Sequence, residues 1–410
     1  MIGLLDANSF FASCEKTFRP DLWGKPVLVL SNNDGCVIAR CPYVKKLGIP
    51  MGAPFFKIEK LVKEHNISVF SSNFSLYKDM SQRMMRLIKE TVPTATVYSI
   101  DEAFIDFKGI NDPVKLAKIL RKKVSKGLGL PTAIGIAPTK TLAKVANHIA
   151  KQTGVCFLKD TAEIDEVLKI LPLSDVWGVG KRTSQKLQKY GITTAYDLKN
   201  VDPKWMRRLF TVTGERLVLE LNGIPCFQDL KSSRQSFQSS RSFETPLKTF
   251  DELKQRIHTH VTTACSILRN HHLKAKKITV FMTTNRFKEE VYSNESTKEL
   301  PYAGDDTLTF LHASTAALQS IFKEGPSYTK AGIILHELYK KTEEILCLEL
   351  FDDYIKKPSL DPVLDLLNKR FGAGTIHFVS CLKGLSLIGK KKFTSPSYTT
   401  KWDDILVVGG

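Results

Sequence analysis

Three acidic residues in the first third of this 410-residue chain could together bind divalent metal ions. Asp6 ends a short apolar run, residues 2–7, and Asp101 and Glu102 are adjacent much later in the chain. Mg²⁺ prefers oxygen ligands and keeps part of its water shell, which leaves room for substrate phosphates. Carboxylates gathered at one point are therefore typical of two-metal phosphoryl transfer.

Each acid alone is weak evidence, because an acid at a strand end or in a turn is most often a solvated loop residue. The surrounding elements strengthen the hypothesis. Residues 2–7 predict a buried strand, and residues 97–99 and 104–107 predict two strands joined across Asp101 and Glu102. If the first strand lies beside that hairpin, the three acids meet at one edge of a sheet.

The order of the predicted elements is β-α-β-β-α-β, which is that of a split βαβ sheet. A hairpin of residues 25–30 and 36–39 is inserted after the first strand, with the turn residues Asn-Asn-Asp-Gly between its strands. Helices are predicted from Pro42 to Gly48 and at residues 75–91, 113–126 and 138–150, with a further strand at 132–136.

The remaining chain divides by pattern into three regions. Residues 162–231 predict short helices, and residues 240–345 predict alternating strands and helices. Residues 231–240 have linker composition. The fold class that we predict is therefore α+β with several domains.

The charge balance favours a polyanionic partner. The net charge is +18, and residues 108–160 hold 11 lysines and arginines but 2 acids. A solvated basic face without a partner is the alternative. The chain contains no run of 18 apolar residues, so we predict no membrane span. The N-terminus does not resemble a signal peptide. The 8 cysteines form no Cys-x-x-Cys pair, which is typical of reduced thiols in the cytoplasm.

Several segments resemble motifs of the Y-family DNA polymerases. Ser-Ile-Asp-Glu-Ala-Phe at 99–104 is similar to the family signature, and Asp-Ala-Asn-Ser-Phe-Phe at 6–11 to its first metal motif. Residues 30–40 and 135–144 resemble the UmuC branch in particular. The likeness spans essentially the whole chain, including Ser-Pro-Ser-Tyr-Thr-Thr at 395–400.

The resemblance implies a right-hand polymerase with a split βαβ palm, small fingers, a helical thumb with a helix-hairpin-helix turn, an α/β little finger and a C-terminal tail that binds a partner or clamp. The implied boundaries are residues 1–10 with 73–161 for the palm, 11–72 for the fingers, 162–231 for the thumb, 232–240 for a linker, 241–345 for the little finger and 346–410 for the tail.

The resemblance also implies that Asp6, Asp101 and Glu102, with the main-chain carbonyl of Ala7, ligate two Mg²⁺ ions. We interpret the nearby Asp106 as structural, because strand alternation turns it away. The implied activity is template-directed, error-prone translesion DNA synthesis in DNA damage tolerance and the SOS response. It transfers a nucleotide from a dNTP to a primer 3′-hydroxyl.

Six residues are implied to bind the incoming nucleotide. Phe11 stands where the family has a sugar-discriminating aromatic, and its neighbour Phe10 would face the opposite way on an extended segment. The other four are Lys45 and Lys151, towards the triphosphate, and Cys36 and Ile38, against the base pair.

The lysine row of the third predicted helix has an alternative interpretation. Lys140, Lys144, His148 and Lys151 share one helical face, and such a row is often only solvated. One departure from the family lies nearby, since Pro42 replaces a tyrosine that bonds to phosphate in several relatives.

DNA contacts are implied in two regions. Residues 176–181 resemble a helix-hairpin-helix turn, in which Gly178 and Gly180 let backbone N–H groups approach a phosphate beside Lys181. In the implied little finger, the candidate phosphate contacts are Arg234, Arg241, Lys276, Lys277 and Arg286.

Protein partners are suggested by the C-terminal region. Residues 347–351 resemble a sliding-clamp-binding peptide, with Leu348, Leu350 and Phe351 as apolar anchors. An ordinary strand or linker is the alternative. The resemblance of the tail also suggests a UmuD-like protein and RecA as partners, in the bacterial cytoplasm at the nucleoid.

Two other functions remain open from the residues. A nucleotide cyclase can also place carboxylates on a split βαβ sheet, but it would not need the predicted thumb or second sheet domain. A catalytically inactive DNA-binding scaffold is the second, and the presence of all three acids counts against it.

Overall fold

The chain folds into two compact units. The structure, a computed structural model, describes residues 1–227, 235–285, 287, 290–341, 359–372, 374–381 and 391–405. Residues 1–230 and 390–410 make up the first unit, and residues 231–389 make up the second. The chain therefore leaves the first unit once and returns to it near the C-terminus.

The described residues contain the following regular elements. The strands are β1 (Ile2–Ala7), β2 (Val27–Leu30), β3 (Val37–Arg40), β4 (Ser68–Ser71), β5 (Ala95–Val97), β6 (Glu102–Asp106), β7 (Thr132–Ala137), β8 (Val155–Phe157), β9 (Ser236–Leu247), β10 (Leu273–Thr284), β11 (Ser293–Gly304) and β12 (Tyr328–Lys340). The helices are α1 (Phe10–Thr17), α2 (Pro42–Lys46), α3 (Phe55–Glu64), α4 (Phe74–Thr91), α5 (Pro113–Leu128), α6 (Lys140–Thr153), α7 (Thr161–Ile170), α8 (Lys181–Gln188), α9 (Ala195–Lys199), α10 (Pro203–Leu221), α11 (Phe250–Asn270), α12 (Thr307–Ile321) and α13 (Asp361–Phe371). Among these helices, none has the length and apolar character needed to cross a bilayer.

Five strands of the first unit form a sheet in the order β5-β6-β1-β7-β8. β1 lies between β6 and β7 and is antiparallel to both. Every residue of β7 is buried, as expected for an inner strand that is covered on both faces. This is the split βαβ arrangement that the sequence predicts.

Helix α6 lies across β1 and β7. Gly135 of β7 permits this close approach, because a Cβ there would collide with the main chain of α6 at Asn147. The buried Asn147 amide donates hydrogen bonds of 3.0 Å to the carbonyl oxygens of Leu4 and Ala133. These contacts fix the helix that carries the lysine row against the strand that carries Asp6.

A smaller sheet, in the order β3-β2-β4, completes the N-terminal part of the first unit. β2 is antiparallel to β3 and parallel to β4, and all four of its residues are buried. The predicted hairpin is thus present. Helices α7 to α10 follow β8 and bury an apolar core that includes Leu168, Leu187, Leu198 and Leu221.

The second unit contains an antiparallel sheet in the order β11-β10-β12-β9, against which α11 and α12 pack. Thr249 begins α11 with a capping box, in which its hydroxyl accepts from the N–H of Glu252 and the Glu252 carboxylate accepts from the N–H of Thr249. This alternation of strands and helices was predicted, whereas the polar strand β11 was not.

Three local predictions were wrong. Phe10 and Phe11 begin helix α1, so they do not alternate on an extended segment. Glu102 is the first residue of β6 and not a turn residue. Residues 236–240 were expected in the linker, but they belong to β9 and pair with β12. A strand can contain serine and glutamine when a neighbouring strand provides its backbone hydrogen bonds.

Candidate active site

The pairing of β1 with β6 brings the three predicted acids to one edge of the five-stranded sheet. Asp6 and Glu102 are opposite partners in this ladder, and the N–H of Ala7 donates a 3.0 Å hydrogen bond to the carbonyl of Asp101. Directly opposite residues in an antiparallel pair have Cβ atoms roughly 4.5–5.5 Å apart. Asp6 and Glu102 therefore project from the same face.

Two lysines of α6 already bind these carboxylates. The Nζ of Lys144 donates to both carboxylate oxygens of Glu102, at 2.8 and 3.0 Å. The Nζ of Lys151 lies 3.3 Å from Oδ2 of Asp6. Because two turns of helix separate Lys144 from Lys151, both project from one face, and the row is not simply solvated.

Ser99 shapes the turn that presents the other acid. Its hydroxyl donates a 2.7 Å hydrogen bond to Oδ1 of Asp101 and accepts from the N–H of Glu102 at 3.1 Å. Local hydrogen bonds from a serine side chain can stabilise a turn whose backbone groups are not paired with another strand. Asp106 lies four residues beyond Glu102 on β6 and so on the same face, which means that strand alternation does not turn it away as predicted. It is instead set apart by its distance along the strand, is exposed and accepts from the N–H of Lys108.

Charge is costly at this edge of the sheet. The pKa of Asp6 is raised from 3.8 to about 6. Burial is the largest cause, the positive charge of Lys151 opposes it, and the negative charges of Glu102 and Asp101 contribute to the increase. A site that crowds carboxylates in this way favours any cation that can enter it.

The side chains do not yet form a coordination shell. Within the described ranges, no group of three or more His, Cys, Asp or Glu side chains is arranged to share a metal ion. The donor chemistry nevertheless fits Mg²⁺, since carboxylates are its usual protein ligands and positive charge already collects at this edge. For ions to bind, Lys151 would have to release Asp6, and Lys144 would have to give up one of its two contacts with Glu102.

Aromatic rings surround Lys144, and no local pattern of residues predicts this arrangement. Its Nζ lies 4.7 Å from the ring centroid of Tyr98 and 5.2 Å from that of Trp177. The ammonium group of Lys140 lies 5.2 Å from the ring of Phe104. Cation–π contacts of this kind add to the ion pair with Glu102 and hold the Lys144 side chain in place.

Phe11 is the second residue of α1, the helix that follows β1, and it is half-buried against two aromatic rings of α4. Its ring stacks on Tyr77 with centroids 4.4 Å apart and an interplanar angle of 14°, and it meets Phe74 edge-on at 5.9 Å. Phe10 is 3% exposed and belongs to the core. The structure therefore separates the two phenylalanines, with Phe11 the more accessible one.

Three cations gather near Asp6. Lys45 lies on α2, and its pKa is lowered by burial and by the positive charges of Lys151 and Arg40, whereas Asp6 raises it. These mutual effects require the charged groups to be close to one another. Arg40, which was not predicted, ends β3 and donates to the carbonyl of Ile49. A polyphosphate would satisfy such a cluster.

Cys36, Ile38 and Arg40 alternate along the hairpin. All three are partly exposed, while the intervening Val37 and Ala39 are buried. The two predicted base-pair contacts thus lie on the same face as the unpredicted arginine.

The predicted helix-hairpin-helix residues precede helix α8. Gly178 has a φ of +87°, which favours glycine, and Gly180 is the N-cap of α8. A Cβ at either glycine would meet no atom of the chain within 4 Å, so packing does not require Gly180. Both glycines and Lys181 are exposed, which leaves the helix N-terminus open to an anion.

Three predicted DNA contacts lie in the described part of the second unit. Arg241 is on β9, with its pKa lowered by burial and by Arg256. Lys276 lies 3.0 Å from Glu299, and Lys277 lies 3.4 Å from Glu299 and 2.6 Å from Glu337. A β-bulge between Ala275 and Lys277 explains how consecutive lysines reach one glutamate.

Other predicted positions lie outside the described residues. These are Arg234, Arg286 and the proposed clamp anchors Leu348, Leu350 and Phe351.

Four family models match the chain. They are the impB/mucB/samB family at residues 5–148, its helix-hairpin-helix motif at 161–192, its C-terminal domain at 234–346, and a domain of unknown function, DUF4113, at 358–408.

Similar proteins extend over the whole chain. Protein UmuC of Salmonella typhimurium strain LT2 is 39% identical over 423 residues, covering 100% of both chains. Protein ImpB of Salmonella typhimurium is 40% identical, covering 99% of both chains. A DNA polymerase IV of Oceanobacillus iheyensis is 27% identical and covers 91% of this chain and 90% of its own.

Among solved structures, a Y-family DNA polymerase chimera of Dbh and Dpo4 superimposes with a TM-score of 0.70 at 19% identity. The match covers 83% of this chain and 100% of that one. Together with the helix-hairpin-helix match, this likeness confirms the predicted fold class.

Proposed function

Because this chain belongs to the UmuC branch of the Y-family DNA polymerases, and is therefore a DNA-directed DNA polymerase, we propose that it performs error-prone translesion synthesis by two-metal-ion nucleotidyl transfer. The observation that carries the proposal is the β1–β6 ladder, which sets Asp6 opposite Glu102 beside Asp101. Action in DNA damage tolerance and the SOS response is part of the same proposal.

Asp6, Asp101 and Glu102, with the main-chain carbonyl of Ala7, would hold the two Mg²⁺ ions. When bound, the ions would supply a lowered pKa at the primer 3′-hydroxyl and positive charge beside the triphosphate and the leaving pyrophosphate. Ser99 keeps the Asp101 carboxylate oriented through its 2.7 Å hydrogen bond.

Lys45, Lys151 and Arg40 would bind the triphosphate. The Lys151 side chain is 47% exposed, so it has room to turn from Asp6 towards a phosphate. Lys144 is more enclosed, by its ion pair with Glu102 and its aromatic neighbours. We therefore assign phosphate binding to Lys151 and charge balance at Glu102 to Lys144.

Phe11 would select the sugar of the incoming nucleotide. Its ring is supported from behind by Tyr77 and Phe74, so it cannot easily withdraw from a bulkier ribose. A 2′-hydroxyl would meet this face, whereas a deoxyribose would pack on it. Ile38, on the partly exposed face of β3, and Cys36, immediately before that strand, would pack against the new base pair.

Duplex binding would use the phosphate backbone alone. Gly178, Gly180 and Lys181 would receive a phosphate at the N-terminus of α8, and Arg241, Lys276 and Lys277 would contact others. Phosphate contacts carry no sequence information, which suits an enzyme that accepts any template. A sliding clamp, a UmuD-like protein and RecA are the partners that we propose.

Primer extension tests the proposal. The parent and an Asp101→Ala variant are compared on undamaged and abasic templates with Mg²⁺ and dNTPs. We expect Asp101→Ala to lower extension roughly 10²- to 10⁴-fold, the equivalent of several kcal/mol of lost charge stabilisation. The matched control is Asp106→Ala, an exposed acid of the adjoining strand, which should extend normally.

The two alternatives give different outcomes. A parent protein that binds DNA but extends no primer is a scaffold. Product formed from nucleotides without any primer-template indicates a cyclase. Equal thermal unfolding of both variants is required before activities are compared.

A further inference from the structure

The last described segment of the chain returns to the first unit. This tail segment, residues 391–405, lies within the region matched by a domain model that carries no assigned role. It belongs to the compact unit of residues 1–230, although the second unit intervenes in the sequence. Its contacts extend to Tyr77, the ring on which Phe11 stacks.

The tail segment first pairs with the end of β4. The N–H of Ser71 donates to the carbonyl of Phe393 at 2.9 Å, and the N–H of Phe393 donates to the Ser71 hydroxyl at 3.0 Å. The Nζ of Lys391 donates to the carbonyl of Ser72 at 2.6 Å. These bonds extend the edge of the small sheet.

Asn73 then connects the tail segment to α4. Its side-chain oxygen caps the helix by accepting from the N–H of Leu76 at 3.2 Å. Its amide nitrogen donates to the Ser395 hydroxyl at 3.1 Å and to the carbonyl of Pro396 at 3.2 Å. The residue that begins α4 therefore also holds the tail segment.

Ser395 reaches a buried carboxylate of α1. Oε1 of Glu15 accepts from the Tyr77 hydroxyl at 2.6 Å and from the Ser395 hydroxyl at 3.1 Å. Glu15 and Tyr77 are both 0% exposed, and Oε2 of Glu15 has no hydrogen-bond partner among the described residues. A buried carboxylate depends strongly on the few donors that it has.

The same Tyr77 stacks on Phe11. Phe11 and Glu15 are four residues apart on α1, so they lie on one face and contact the ring and the hydroxyl of Tyr77, respectively. At the other end of α1, Tyr398 stacks on Phe18 with centroids 4.8 Å apart and an interplanar angle of 8°. The tail segment thus contacts the C-terminal half of the helix that presents Phe11, and it reaches Phe11 only through Glu15 and Tyr77.

We propose that the tail segment is part of the nucleotide-selection apparatus, with Ser395 as a positioning residue that holds Phe11 in place through Glu15 and Tyr77. This inference rests on the proposed role of Phe11 against the sugar. The returning chain acts as a brace behind the nucleotide pocket, and the domain of unknown function supplies it.

The test measures sugar selectivity in the full-length protein. The readout is the ratio of kcat/KM for a dNTP to that for the matching ribonucleotide, measured by single-nucleotide insertion. We expect Ser395→Ala to lower this ratio roughly three- to tenfold, mainly through faster ribonucleotide insertion. Thr394→Ala, which removes a hydroxyl from the exposed neighbouring residue, should leave the ratio unchanged.

A second variant tests the inference if Ser395→Ala folds poorly. Asn73→Ser keeps an N-cap oxygen for α4 but removes the amide that donates to Ser395, and it should lower the ratio similarly. Variants that slow deoxy- and ribonucleotide insertion equally, or leave both unchanged, would overturn the inference.

Combination with Phe11→Ala separates the inference from the proposed function. If Phe11→Ala lowers the ratio, Ser395→Ala should lower it no further in that background, because the positioned ring is gone. A full additional loss in the double variant contradicts the brace. If Phe11→Ala itself leaves the ratio unchanged, the proposed sugar role fails and the inference fails with it.

Discussion

Lysine–carboxylate pairs occur in both units, but their surroundings differ. In the first unit, the Lys144 and Glu102 side chains are 16% and 17% exposed, and the Asp6 side chain is 13% exposed. In the second unit, Lys277 and Glu337 are 31% and 40% exposed. The first set is enclosed by helix, sheet and aromatic rings, whereas the second lies on an open sheet.

This difference separates two uses of the same chemistry. Exposed ion pairs contribute little stability, so Lys277 can exchange Glu337 for a DNA phosphate at small cost. Burial of the enclosed acids costs desolvation free energy, so these acids favour the cation that neutralises them most completely. The first arrangement suits specific chemistry, and the second suits binding that is independent of sequence.

The largest effect expected from this comparison concerns Lys151. Lys151→Ala should raise the KM for dNTP roughly 10- to 100-fold, because it removes a charged contact to the triphosphate. Lys277→Ala should leave that KM within about twofold, since its target is the template duplex. Steady-state insertion at saturating DNA measures both. A Lys151 variant with normal KM but weakened DNA affinity would assign Lys151 to the duplex.

A smaller effect concerns stability and pH. The pKa of Asp6 is about 6 in the folded protein, above its usual 3.8, so the folded state binds this proton more tightly than the unfolded state does. Stability from this group is therefore lost as pH rises from about 4 to 6 and is not regained above 6. Without Mg²⁺, Asp6→Asn should stabilise the protein by about 3 kcal/mol at pH 8 and by almost nothing below pH 4.

Urea unfolding at several pH values measures this gain. Asp106→Asn, at an exposed acid, should show no such pH-dependent gain. Added Mg²⁺ should stabilise the parent at pH 8 more than at pH 5, because protons compete with the ions. Equal pH dependence of the unfolding free energy for the parent and Asp6→Asn would mean that burial does not raise the pKa of Asp6.

The smallest effect concerns the exposed pairs. Lys277→Ala should reduce the slope of log affinity against log salt by about 0.9 and weaken binding equally on unrelated sequences, because one phosphate contact is lost. Glu337→Gln should slightly strengthen binding, since it releases Lys277. Fluorescence anisotropy over a salt series measures both. Identical slopes for all three proteins would exclude Lys277 from the interface.

Hydrophobic patterns along the chain predicted strands and helices well where burial of one face, or of the whole strand, gives a clear hydrophobic pattern. The apolar runs of β1, β2 and β7 and the helices α4, α5 and α6 were predicted close to their observed bounds. Strand β11 is polar and contains Pro301, so it had no such signal. Phe10 and Phe11 were misplaced because an apolar pair does not distinguish an extended segment from the first turn of a helix.

Local patterns predicted an acid at the end of β1 and an acidic pair between two later strands, because hydrophobic periodicity and turn residues act over short distances along the chain. Tertiary structure alone decided which cations face them, which ring supports Phe11, and that Ser395 returns to Glu15. Those contacts join residues far apart in the chain, and no short-range pattern encodes a distance of that kind. They depend on how the sheet, α6 and the tail segment pack together.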